Sequence, residues 1–423
     1  MRLYDTYTRR KQELPPAPGP IRTYFCGPTV YARAHIGNAR PFVIGMWLRR
    51  WLLERGYDTV LVHNITDIND KIYDAAPGAS ADLALRATEW YLHDTADFGL
   101  GMPDEQPKAS ELIPPIVAMI EELVLRGYAY EVDGDVYYRV SRFAEYGRLS
   151  GQRPDSVEDQ EPNPRKEDPR DFALWKANKP GEDTWWDSPW GRGRPGWHIE
   201  CSVMAEELLG PIFEVHGGGL DLVFPHHENE IAQSRALGHP FAQVWMHNGM
   251  LRFVGQKMSK SEGNVATIRE ALERWGPETL LVFFLTAHWS KPIDYSDETL
   301  TAAEARKESL REVFRNPSEP AQEGEWERFA AALDDDFNTP EALSVMHSWR
   351  DHELLGRALE IFGLGSLAES EEAPAEVREL AERRQEVRAN GDFDGGDRLR
   401  AQIEAAGWVV RDVAGGFQLV PKR

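Results

Sequence analysis

A strand, a long helix and a second strand follow one another between residues 22 and 63, and this run constrains the fold more than any other part of the chain. Residues 22–26, Arg-Thr-Tyr-Phe-Cys, are β-prone and mostly apolar, and Gly27-Pro28 ends them. From residue 38 to residue 55, Phe42, Val43, Met46, Trp47, Trp51 and Leu52 recur at helical spacing, and Gly56 is placed to terminate the helix. Thr59-Val60-Leu61-Val62-His63 then reads as another strand. Strand, helix, strand over this length is a βαβ unit, so the sheet is parallel and its ligand site lies beyond the carboxyl ends of the strands. Cys26, His35 and Thr66 all fall near that edge.

At 423 residues with 41% hydrophobic content, the chain exceeds one ordinary core, and two to four domains are expected. No apolar run is long enough to cross a bilayer. The first residues are followed by Arg9, Arg10 and Lys11 without an apolar segment, so a cytoplasmic protein with no membrane partner is expected. The 48 Lys+Arg against 70 Asp+Glu give a formal charge of −22, which disfavours indiscriminate attraction to a polyanion; a nucleic-acid ligand would have to be held by local basic faces. With only two cysteines, Cys26 and Cys201, a disulfide framework is excluded.

Three further patterns carry chemistry. His35-Ile36-Gly37-Asn38 opens the first helix, and Lys257-Met258-Ser259-Lys260-Ser261 lies far downstream. One can meet phosphate with helix-terminal amides, the other with lysine cations, and together they suit a nucleoside triphosphate. His226 and Glu230 stand four apart in Phe-Pro-His-His-Glu-Asn-Glu, so on a helix they share a face and can converge on one ion. Such a pair taken alone is more often a surface ion pair. Gly217-Gly218-Gly219 alone is a flexible turn, and Trp197 alone is equally a core aromatic.

Read together, the paired signatures resemble those of the class I aminoacyl-tRNA synthetases. The blocks Phe25-Cys26-Gly27-Pro28-Thr29-Val30-Tyr31 and Gly196-Trp197-His198-Ile199-Glu200-Cys201-Ser202 narrow the resemblance to the cysteinyl-tRNA synthetases, over nearly the whole chain. The resemblance implies one zinc ion held by Cys26, Cys201, His226 and Glu230, with His227 as the competing imidazole. It implies ATP with Mg2+, bound and activated by His35, Asn38, Lys257 and Lys260, with Asp221 directed to a ribose hydroxyl or the substrate ammonium. Thr66 and Trp197 match positions that line the amino-acid pocket. One departure is visible: Asn69 stands where the family usually has Asp, which removes a charge near the site. Zinc has a physical rationale, since a pocket separates isosteres such as cysteine and serine only about a hundredfold, whereas zinc prefers a soft thiolate.

The fold implied is α/β: a Rossmann-like parallel-sheet catalytic domain in two halves (residues 1–103 and 196–264) around a connective insertion (residues 104–195). A stem-contact segment (265–320), a reduced helical bundle (321–370) and a small C-terminal α/β unit (371–423) follow, Thr339 and Pro340 opening the first helix of the bundle. In the last unit a helix over residues 376–388 and strands near 408–410 and 417–420 are expected, with Arg383, Arg384, Arg388 and Trp408 facing tRNA. The resemblance implies ligation of L-cysteine to tRNA(Cys) through a cysteinyl-adenylate by a monomer. Two rivals share its motifs: a cysteine ligase acting on an amino sugar, and a catalytically silent paralogue.

Overall fold

The computed structural model describes residues 1–152, 162–253, 266–369, 372–413 and 415–422. The described chain forms two compact units, Met1–Gly365 and Ser366–Arg423.

The first unit opens with a hairpin of β1 (Arg2–Asp5) and β2 (Arg10–Glu13). The βαβ run follows as β3 (Pro20–Phe25), α1 (Ile36–Glu54) and β4 (Asp58–His63), within two residues of the expected bounds. Trp47, Trp51 and Leu52 on α1 are fully buried, which is the physical content of the helical spacing, and Gly56 takes φ +80° just past its end. Helices α2 (Asp70–Ala75) and α3 (Ser80–Ala96) come next.

The insertion carries α4 (Ile113–Leu125) and an antiparallel sheet of β5 (Ala129–Val132), β6 (Asp135–Tyr138), β7 (Phe172–Ala177) and β8 (Gly193–Pro195), paired in that order. The catalytic half then resumes with α5 (Trp197–Leu209), β9 (Ile212–Gly219), α6 (Glu228–Ala236) and β10 (Phe241–Asn248).

The central sheet has the order β10-β9-β3-β4, every neighbour parallel. The chain winds outward from β3 on one side and from β9 on the other. The crevice between their carboxyl ends is therefore the switch point where such sheets bind ligands. Gly217, Gly218 and Gly219, expected as a flexible turn, are the last part of β9. Glycine is required there: a Cβ on Gly217 would fall 2.3 Å from the ring of Phe25 on β3, so a larger residue would force the two central strands apart.

Beyond the sheet lie β11 (Leu251–Phe253), α7 (Ile268–Trp275), α8 (Pro277–Leu285), β12 (Ile293–Tyr295) and α9 (Asp297–Phe314), with β11 and β12 paired in parallel. Three helices complete this unit: α10 (Glu325–Asp334), α11 (Thr339–Ser348) and α12 (His352–Ile361). The cap of α11 is Asn338, whose side chain accepts from the Glu341 amide at 3.3 Å; Thr339, expected in that role, is already helical.

The second unit pairs α13 (Ala375–Ala389) and α14 (Phe393–Ala405) with a hairpin of β13 (Trp408–Val413) and β14 (Gly416–Pro421). Its own core gathers Val377, Ala381, Ile403 and Val410.

Candidate active site and metal centre

Cys26 follows directly on β3, Cys201 lies on α5, and His226 and His227 precede α6, which carries Glu230. Strand order alone brings these separate segments to one point. The ligand atoms of Cys26, His226, His227 and Glu230 lie within 4.8 Å of one another. His226 Nε2 is 3.1 Å and His227 Nε2 3.9 Å from Glu230 Oε1, while Cys26 Sγ is 3.3 Å from His227 Nε2 and 4.0 Å from Cys201 Sγ. Three of the expected ligands, Cys26, His226 and Glu230, thus meet with His227 as the fourth donor, and Cys201 stands beside the group through its contact with Cys26.

All five are buried, Glu230 and His227 completely. Burial pushes the Glu230 carboxyl and the Cys26 thiol well above their ordinary values, and it holds the imidazoles of His226 and His227 far below theirs. Neutral imidazoles with soft sulfur and a carboxylate suit a divalent ion with a taste for sulfur and nitrogen, and a dication would make ionised Cys26 and Glu230 favourable in the same place. The donor set fits zinc.

A second layer orients these donors. His216 Nε2 lies 2.8 Å from Glu230 Oε2, His198 Nδ1 2.9 Å from His226 Nδ1, and His247 Nε2 2.7 Å from His227 Nδ1. Desolvation lowers His198, His216 and His247 to about 3 each, so they are neutral at physiological pH. Sequence reasoning missed these three as site residues. A signal was present, for His198 sits beside Trp197 in a motif block and His216 directly precedes the three glycines, but only the fold shows that both turn toward the same cluster.

Through Cys26 the cluster borders a cleft of about 490 Å³ that is also lined by His35, Asn38, Trp197, Asp221 and Asn248, among others. His35 precedes α1 in extended conformation, and the segment leading into α7 is bonded beside it. Ile36 N donates to Ala266 O and Ile268 N to Ala34 O, both at 2.9 Å. Lys257 and Lys260 lie outside the described residues. Trp197 stacks on His226 with ring centroids 4.3 Å apart, so its indole joins the cleft to the metal cluster. Thr66 is buried beside the cleft, where its backbone pairs with Pro28 and Val30 and its hydroxyl accepts from Asn64 Nδ2 at 3.3 Å. Asn69 caps α2 through the Lys71 amide at 3.1 Å. The carboxylate beside it is Asp70; burial alone would raise it, but Lys176 and Arg194 hold it well below the usual range.

In the second unit Arg383 is exposed, and Arg388 is half-buried with its guanidinium over the Phe393 ring. Trp408 packs partly against the small core. Arg384 departs from expectation. It is 2% exposed and donates to both carboxylate oxygens of Asp412, at 2.6 and 3.0 Å, because its position on α13 faces β13 rather than solvent. Among the described residues, no helix is long and apolar enough to cross a membrane.

The parallel sheet with its insertion, and a ligand cleft at the switch point opened by the His35 helix, define a class I aminoacyl-tRNA synthetase. Residues 14–305 match the family model described as the class I (C) catalytic domain of tRNA synthetases, and residues 328–351 match a DALR domain. The methionyl-tRNA synthetase of Mycobacterium tuberculosis in complex with methionyl-adenylate shares the fold, with a TM-score of 0.61 at 15% identity over 82% of this chain and 88% of that one. Curated cysteine–tRNA ligases are much nearer in sequence. The enzyme of Laribacter hongkongensis is 43% identical over 451 residues and that of Pseudomonas paraeruginosa 44% over 456, each alignment covering 98% of both chains. The chain belongs to the cysteine–tRNA ligases.

Proposed function

We propose that this protein activates L-cysteine with ATP and Mg2+ as cysteinyl-adenylate and passes the cysteinyl group to the terminal ribose of tRNA(Cys), with zinc selecting the substrate thiolate. The observation that carries this reading is a buried Cys26–His226–His227–Glu230 cluster, with Cys201 beside Cys26, that meets the cleft at the start of α1 through Cys26. Amino-acid selection and phosphate chemistry then share one space.

Zinc, when bound, supplies a soft Lewis acid that favours a thiolate over a hydroxyl. The residues of the chain do the rest. Cys26, Cys201, His226 and Glu230 would hold the ion, while His198, His216 and His247 keep imidazole and carboxylate in orientation through their hydrogen bonds. Thr66 and Trp197 would shape the wall around the amino acid. Asp221, exposed at the cleft just past β9, offers a carboxylate to an ammonium or a ribose hydroxyl. His35, Asn38, Lys257 and Lys260 would neutralise the phosphates as the cysteine carboxylate attacks the α-phosphorus and pyrophosphate leaves. No protein nucleophile is required.

The small unit would read the anticodon end of tRNA through Arg383, Arg388 and Trp408, with Arg384 keeping α13 and β13 together. The separate unit, with Arg383 exposed on its first helix, favours tRNA over an amino-sugar acceptor, which needs no second unit.

Cysteine-dependent ATP–pyrophosphate exchange, followed by charging of total tRNA, tests the reading. Exchange with cysteine at least 10⁴-fold more efficient than with serine, on the order of what translation demands, supports it. Absence of exchange, or transfer to an amino sugar in place of tRNA, would overturn it.

A further inference from the structure

Arg40 lies on α1, five residues after His35, and is 1% exposed. A guanidinium so far from water ordinarily meets a carboxylate. Here it meets two backbone carbonyls: Nη1 donates to Gly249 O at 2.5 Å and Nη2 to His288 O at 3.1 Å. Nε has no partner among the described residues. Desolvation alone lowers the group to about 10, and no carboxylate opposes that effect.

The two carbonyls belong to segments joined by a single seam. Gly249 N donates to Trp289 O at 2.8 Å, Ile293 N donates to Met250 O at 3.1 Å, and β11 then pairs with β12 from Leu251 and Ile293 onward. There is no slack in this seam, because a Cβ on Gly249 would fall 2.2 Å from the backbone of Lys291. Residues 248–250 are also a wall of the cleft that His35, Gly37 and Asn38 face from α1. Asn248 is 3% exposed and its Oδ1 has no partner among the described residues, so the wall presents an unused acceptor to whatever fills the cleft.

We infer that Arg40 is a positioning residue for ATP: its fork bridges α1 to the Gly249 and His288 carbonyls and so sets the distance between the His35 helix and the wall formed by residues 248–250. The planar fork is suited to this task because two donors in fixed relation reach two carbonyls of different segments at once. The desolvation cost of an uncompensated cation is accepted at a place where the substrate itself is a polyanion. The strand leading into this wall touches the metal cluster through His247 and His227, whereas Cys26, Cys201, His226 and Glu230 are carried by other segments, so cysteine binding leans on this bridge less than ATP binding does.

The inference rests on the cleft's taking ATP, and the test separates the two. The full chain with zinc bound is assayed for cysteine-dependent ATP–pyrophosphate exchange as wild type and as Arg40→Lys, Arg40→Met and Gly249→Ala, with zinc content and unfolding midpoint measured for each. Wild type without exchange would remove the ATP reading itself. With wild-type exchange intact, Arg40→Met should raise the KM for ATP tenfold or more while the KM for cysteine stays within twofold and zinc remains one per chain. Arg40→Lys, which keeps the charge and loses the fork, should fall between the two. Gly249→Ala, which displaces the same wall from its other side, should reproduce the split if Arg40→Met fails to fold. An unchanged KM for ATP in the folded variants, or a parallel rise for ATP and cysteine, would overturn the assignment.

Discussion

The indole of Trp197 lies against the imidazole of His226, centroids 4.3 Å apart and planes 25° from parallel. A residue of the amino-acid wall is thereby packed on a metal-site imidazole, and removing it should be felt first by cysteine. Aromatic pairs of this kind contribute about 0.5–1.5 kcal/mol beyond buried area, so Trp197→Ala should raise the KM for cysteine roughly threefold to tenfold. The KM for ATP should not move. Steady-state exchange at varied cysteine and varied ATP checks the split, and an equal rise in both would show Trp197 to be a core residue only.

Metal removal should have two effects. Protein purified without added metal should carry one zinc per chain, and chelation should both abolish cysteine binding and lower the unfolding midpoint, because five buried donors would be left without a cation. His216→Ala removes the 2.8 Å contact to Glu230 and should weaken zinc affinity about 10- to 100-fold, the usual cost of losing an outer partner. Competition with a colorimetric chelator measures it; full zinc retention at wild-type affinity would remove His216 from the supporting layer.

For the lysine segment the expectation is kinetic. Lys260→Ala should slow cysteine-dependent pyrophosphate exchange about 10²-fold or more, with the KM for cysteine within about twofold, since its charge matters most as the α-phosphate transition state develops. Unchanged exchange would take Lys260 off the list of catalytic groups.

The small unit should be separable in function. Arg383→Ala combined with Arg388→Ala should raise the KM for tRNA and leave exchange unaltered. The salt dependence of tRNA binding should become shallower by about one unit of slope for each phosphate no longer neutralised. Arg384→Ala should act differently, by loosening α13 from β13 and lowering the thermal stability of this unit. If the Arg383 and Arg388 variants charged tRNA normally, and anticodon changes made no difference to the full chain, tRNA reading would lie elsewhere.

His63 predicts a pH dependence away from the metal. It is fully buried, its Nε2 is 2.7 Å from the Tyr91 hydroxyl, and desolvation lowers it from 6.5 to about 4. Between those two values the unfolded chain binds the proton more readily. The neutral-His contribution is therefore fully present above pH 6.5 and is lost as pH falls toward 4. A shift of that size corresponds to about 3 kcal/mol at most. Denaturant melts from pH 7 to pH 4 should show stability falling with acid, and His63→Gln should flatten that slope; an identical slope in the variant would assign the acid lability to other groups.

Local signals in the chain marked most of the elements near the site. The βαβ bounds and α13 were legible because burial periodicity and turn residues are short-range properties. Residues 217–219 were not, because three glycines in a row look like a turn until Phe25 is seen packed against Gly217. Helix α14 was missed for a similar reason. Gly395 and Gly396 argue against a helix, yet a Cβ on Gly396 would meet Arg388 Cγ at 2.6 Å, so the crossing of α13 and α14 excludes anything larger. The role of Arg384 depended on β13 lying across its helix face, which periodicity cannot report.

By itself the sequence determined the parallel α/β class and the helix that opens after His35, while the cysteine, histidine and glutamate set was implied by the resemblance to the cysteinyl-tRNA synthetases. The first two follow from residue types and spacings within a few turns of chain. Only the tertiary structure decided that His227 stands beside the expected ligands, that His198, His216 and His247 support them, and that Arg40 joins α1 to Gly249 and His288. Those residues meet because the order β10-β9-β3-β4, and the segments packed on it, close separations of up to 248 residues. Convergence over such distances is a property of strand order and packing, and no local pattern encodes it.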